Sequence, residues 1–118
     1  MVSIEQFREM ALSFTHATEQ PHFELTSFRI NNKIFASLNI KNQVACLMLT
    51  PIDQSVFVVL DKSIIYPVPN KWGKMGATYF ELKKVRKGML KDALTLAFQK
   101  KSINKSATAK IKTRNKTG

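Results

Sequence analysis

Ser27-Phe28-Arg29-Ile30-Asn31-Asn32-Lys33-Ile34-Phe35-Ala36-Ser37-Leu38 places two apolar runs on either side of a pair of asparagines. Asparagine tolerates the positive φ that the central residues of a two-residue hairpin turn require, so the stretch predicts two antiparallel strands joined at Asn31-Asn32. A second polar break, Ile40-Lys41-Asn42-Gln43, leads into Gln43 to Leu49 and extends the hairpin to a three-stranded meander. Upstream, Phe23, Leu25, Phe28 and Ile30 open the β-rich part after a polar, proline-terminated stretch from Thr18 to Pro21.

Helices flank the meander. Ser3 followed by Gln6 reads as a capping box, and Ile4, Phe7, Ala11 and Phe14 recur at helical spacing, so a helix is expected from Ser3 to about Phe14. Thr50-Pro51-Ile52-Asp53 carries a threonine cap, a proline at the first helical position and an acid in the first turn, which predicts a second helix packing through Ile52, Val56, Val59 and Leu60. Leu90, Ala93, Leu94, Ala97 and Phe98 match the stripe of a helix laid on a sheet. Between the last two helices, Ile64 to Asn70 holds two prolines and is confined to a sheet edge, Lys71 to Gly76 reads as a loop, and Ala77 to Val85 alternates as a strand. The fold class is therefore α+β.

At 118 residues the chain is the size of one domain, and its 44% apolar content suffices for one core. The domain is expected over residues 1–101, with a basic, disordered tail over 102–118 in which Ile103 and Ile111 are the only apolar residues larger than alanine. No apolar run approaches bilayer length, and the N-terminus lacks the basic start and apolar centre of a secretory signal. A single cysteine, Cys46, permits no intramolecular disulfide and reads as a small buried hydrophobe in Val44 to Leu49. These features fit the cytoplasm.

Chemistry-bearing motifs are sparse. His16 and His22 match no metal-ligand spacing and read as loop histidines, and no nucleophile elbow or phosphate-binding glycine loop occurs. No catalytic residue, metal or cofactor is expected, and the chain reads as a binding protein rather than an enzyme.

Charge is the informative feature. The net charge is +11, yet residues 1–70 carry a net of −1, residues 71–91 a net of +6 and residues 99–118 a net of +7. Lysine and arginine meet phosphates without sequence-specific geometry, so Lys71, Lys74, Lys83, Lys84 and Arg86, with the tail, are the candidate contacts to nucleic acid. Trp72, between Lys71 and Lys74, either stacks on a base or caps the open end of the core. A protein partner or a second copy, docked on the sheet face or the Trp72 loop, is the alternative, and a small-ligand pocket near His22, Phe23 and Trp72 is a third.

The order Glu19-Gln20-Pro21-His22-Phe23, Phe28-Arg29-Ile30, Leu49-Thr50-Pro51 and above all Tyr66-Pro67-Val68-Pro69-Asn70-Lys71-Trp72-Gly73-Lys74 resembles the MmcQ/YjbR family, over about residues 3–101. That resemblance implies a CyaY-like, secretion-chaperone-like layer fold with helices packed on one face of an antiparallel sheet. It also implies a DNA-binding role through a double wing of hairpins, with Lys71, Trp72 and Lys74 as candidate surface residues. Met75 and Ala77 stand where family members often carry glutamine and a bulky aromatic.

Overall fold

The computed structural model describes residues 1–22 and 24–102. Its elements run α1 (Ile4–Leu12), β1 (Thr18–His22), β2 (Leu25–Ile30), β3 (Lys33–Asn39), β4 (Val44–Met48), α2 (Pro51–Leu60), β5 (Ile65–Pro67), α3 (Lys71–Lys74), β6 (Ala77–Glu81) and α4 (Lys87–Ser102). The six strands form one sheet in the order β1-β2-β3-β4-β6-β5, antiparallel at every pairing. The expected α+β class and its helix-covered sheet are what the chain adopts.

Local signals explain most boundaries. The Ser3 hydroxyl accepts from the Gln6 amide at 3.0 Å while the Gln6 side chain accepts from the Ser3 amide at 2.9 Å, completing the capping box. Thr50 caps α2 through the Asp53 amide at 3.1 Å. Asn31 and Asn32 adopt φ of 53° and 63°, the two positive values that let a tight hairpin follow the strand twist. Proline occurs in the sheet only on its two edge strands, at Pro21 and Pro67, where a missing amide costs no ladder bond.

A bulge in β3 shapes the core. Phe28 pairs with Ala36 but its neighbour Arg29 pairs with Ile34, so Phe35 is the extra residue. Phe35 and Ala36 are consequently both fully buried. Phe35 meets Phe14 and Phe98 edge-on at 6.0 and 5.4 Å, Phe14 stacks on Phe98 at 4.5 Å, and Phe7 meets Phe28 at 5.5 Å. The α4 stripe lands as expected, with Leu90, Ala93, Leu94 and Ala97 fully buried against the sheet. No helix among the described residues is long and apolar enough to cross a membrane.

Five expectations need correction. Thr18 to His22 is an edge strand rather than a polar connection, because β2 supplies both a backbone ladder and side-chain bonds from Thr26 to Glu19 and from Ser27 to the Gln20 carbonyl. His22 therefore ends a strand, whereas His16 lies exposed in a turn with φ of 66°. The strand begun at Ala77 stops at Glu81, whose carbonyl accepts from the amides of Lys84 and Val85 and turns the chain toward α4. Lys71–Lys74 forms a short helix instead of an open loop, capped by the Asn70 side chain on the Trp72 amide at 2.8 Å. Ser102 belongs to α4, and its carbonyl accepts from the Asn31 side chain at 3.3 Å, so the expected tail loses its first residue. Residues 103–118 of that tail lie outside the described residues.

The fifth correction concerns α2. Ile52, Val56, Val59 and Leu60, expected in the core, are 77, 56, 71 and 55% exposed. The buried face is instead Gln54 and Phe57, the latter edge-on to Phe80 at 6.1 Å.

Candidate functional site

The segment Pro67 to Gly76 is built by close backbone approach. A Cβ on Gly73 would lie 1.8 Å from the Val68 carbonyl oxygen, and one on Gly76 the same distance from that of Leu49. Gly76 also has φ of +115°, open to glycine alone at low cost. The buried Gln54 side chain locks the turn from below, donating to the Gly73 and Ala77 carbonyls at 2.9 and 3.0 Å, with the Thr78 hydroxyl at 3.1 Å. Thus the two glycines are structural, while Lys71 and Lys74 are exposed and Trp72 is 50% exposed. Trp72 does not cap the core.

The candidate cations fall into two groups rather than one. Ala77 pairs with Met48 and Glu81 with Val44, so α3 adjoins one end of the sheet and the turn after β6 adjoins the other. Lys71 and Lys74 stand at the first end; Lys83, Lys84 and Arg86, all exposed, stand at the second. The five residues of β6 hold the groups apart by about 16 Å of strand. Arg8–Glu19, at 3.1 Å, is the single salt bridge among the described residues, so none of these five cations forms one there, although the charge of Lys84 helps the Ser63 hydrogen bonds hold the Asp61 carboxyl below its ordinary pKa. Lys100 differs: it donates to the Leu49 carbonyl at 2.8 Å, and burial lowers its pKa below the ordinary lysine value.

Between the two cationic ends lies the sheet face opposite the helices. Register carries Ser27, Ser37, Cys46, Tyr79 and Tyr66 across it in one row. With Trp72 at the rim, these residues line a groove of about 640 Å³. Tyr66 donates its hydroxyl to Glu81. That bond, with burial, pushes the Tyr66 hydroxyl up to about 12. Its ring meets Tyr79 edge-on at 5.7 Å. Cys46 faces this groove rather than the core, and burial pushes its thiol up to about 11, which keeps it protonated and unreactive at neutral pH. Arg29 joins the same face, its Nε donating to the Ser27 hydroxyl at 3.1 Å.

Sequence reasoning found Trp72 and the cations but not Gln54, Tyr66, Tyr79 or Arg29. The alternation of β6 and the Ser27–Arg29 spacing were the available signals for the last two. Of the pocket expected near His22, Phe23 and Trp72, the structure places Trp72 and Leu25, the strand partner of His22, on the lining of this groove, while Phe23 and the His22 side chain lie outside the described residues. Among the described residues, no three His, Cys, Asp or Glu side chains group as metal ligands.

A six-stranded antiparallel sheet covered on one face by helices, with a grooved open face between cationic ends, defines the class of architecture. No family model matches the chain, and no curated protein matches it. Among solved structures it is similar to Deinococcus radiodurans protein DR2400, which carries the domain DUF419, with a TM-score of 0.72, 17% identity, and coverage of 93% of this chain and 88% of that one. At that identity the likeness shows the fold alone.

Proposed function

We propose that this chain is a non-enzymatic, cytoplasmic nucleic-acid-binding module that holds DNA through the two cationic ends of its sheet. The observation that carries the reading is the set Lys71, Lys74, Lys83, Lys84 and Arg86, exposed and without ion pairs among the described residues. Lys87 and Lys91 add to it, because with Arg86 they crowd the start of α4, whose first turn holds no acid. Cations there oppose the helix dipole, and a bound polyanion would offset that cost. The resemblance to the MmcQ/YjbR family supports the same reading. Binding of the full chain to mixed-sequence DNA across a salt series tests it: affinity should fall steeply with salt, by counterion release. Absence of binding at low salt would reject it.

A second reading, a protein-interaction module or homodimer, draws on the exposed apolar face of α2 formed by Ile52, Val56, Val59 and Leu60. Association through that face would be insensitive to salt and abolished by changing Val56 and Val59 to serine.

A further inference from the structure

The aromatic residues of this chain are sorted by chemistry. All seven described phenylalanines are buried in the core or packed against it. The chain's one tryptophan and both its tyrosines line the groove on the open face. We propose that this groove binds single-stranded DNA, with bases stacked on Trp72 and Tyr79 and the backbone running between the lysines at the two ends of the sheet. This rests on the nucleic-acid reading and narrows it to one form of the polymer.

The chemistry points to a single strand because a duplex keeps its base faces stacked inside, whereas an unpaired base offers a π-face to an aromatic ring. Trp72 is half-exposed at the rim, on the turn that also presents Lys71 and Lys74. Tyr79 lies in the groove floor and is braced by Tyr66, whose hydroxyl is tied to Glu81. Small side chains, Ser27, Ser37 and Cys46, leave depth beside the rings, and the Arg29 Nε donates to the Ser27 hydroxyl. Glu81 shares this face through its pairing with Val44, so phosphates are expected at the lysine-bearing rims rather than over the centre.

Trp72 is the chain's one tryptophan, so its emission reports on the groove directly. Titrating the full chain with a short oligothymidylate should quench that emission. Trp72→Ala and Tyr79→Leu should each weaken oligothymidylate binding by roughly 5- to 150-fold, while Tyr79→Phe, which keeps the ring, should bind nearly as the parent. Melting curves identify any variant that fails to fold, and Trp72→Ala, at an exposed position, decides the matter if Tyr79→Leu does not fold. Unchanged emission at saturation, or parental affinity in Trp72→Ala, would overturn the proposal. If a mixed-sequence duplex still binds in either of those cases, the single-strand assignment fails and the wider nucleic-acid reading stands. If neither form binds at low salt, both fail.

Discussion

The side-chain amide of Gln54 donates to the carbonyl of Gly73 at 2.9 Å, joining the buried face of α2 to the turn that displays Lys71, Trp72 and Lys74. A polar residue thus faces inward on a helix that turns Ile52, Val56, Val59 and Leu60 outward. Two backbone carbonyls, those of Gly73 and Ala77, converge on one buried position, and an amide satisfies them where an aliphatic side chain cannot.

Replacing Gln54 with alanine should therefore destabilise the fold by about 1–3 kcal/mol in urea unfolding, through loss of the paired hydrogen bonds. Gln54→Glu should be worse at neutral pH, since a carboxylate cannot donate to two carbonyls, and should recover in acid as the side chain is protonated. On the outward face of the same helix, Val56→Ser should change stability by no more than about 0.5 kcal/mol. Phe57→Ala, one residue on, should cost about 3–5 kcal/mol. A large loss at Val56 would show that the outer face is covered.

The glycines give a contrast within one chain. Gly76→Ala should destabilise by more than about 1 kcal/mol, because its φ of +115° and the Leu49 carbonyl 1.8 Å from the added Cβ both oppose a side chain. Gly88 is in α4 and an added Cβ there meets nothing within 4 Å. Gly88→Ala should stabilise by about 0.5–1 kcal/mol. Thermal melts of the two variants, shifting in opposite directions, check this.

Much of this architecture was legible in the chain because its boundary signals are local. The Ser3–Gln6 box, the Thr50-Pro51 start, the Asn31-Asn32 turn and the α4 stripe each act within a few residues, and each appears where its chemistry requires. What escaped reading depends on distant partners. Thr18 to His22 has no apolar alternation and is a strand because β2 lies beside it. The apolar stripe of α2 has true helical periodicity, but periodicity reports that a stripe exists and not which side the core occupies. Gln54 outweighs it through acceptors 19 and 23 residues away. The cations are visible in the sequence, yet their division between the two ends of β6 follows from strand pairing that no local pattern encodes.

The Tyr66–Glu81 bond predicts an alkaline transition. The folded protein holds the Tyr66 hydroxyl proton more tightly than the unfolded chain does, with its pKa raised from 10.0 to about 12. Its stabilising contribution is therefore complete below pH 10 and declines as pH rises from 10 toward 12. Tyr66→Phe should remove a phenolate that forms only toward pH 12 in an absorbance titration of the native protein and flatten this part of the stability profile. A wild-type protein in which Tyr66 ionises near its ordinary value of 10.0 would contradict the assignment.

The central claim is that Lys71, Lys74, Lys83, Lys84 and Arg86 meet phosphates from both ends of the sheet, and the salt dependence of DNA affinity tests it most directly. Neutralising one cation that meets a duplex phosphate should flatten the slope of log affinity against log salt by about 0.9, so Lys71→Gln with Lys74→Gln should remove about 1.8 and the glutamine triple variant at Lys83, Lys84 and Arg86 about 2.7. The account predicts that both variants bind more weakly at low salt, that their slope changes add, and that melting temperatures stay near the parent's because all five side chains are exposed. Parental slopes and affinities in both variants, with folding intact, would contradict it.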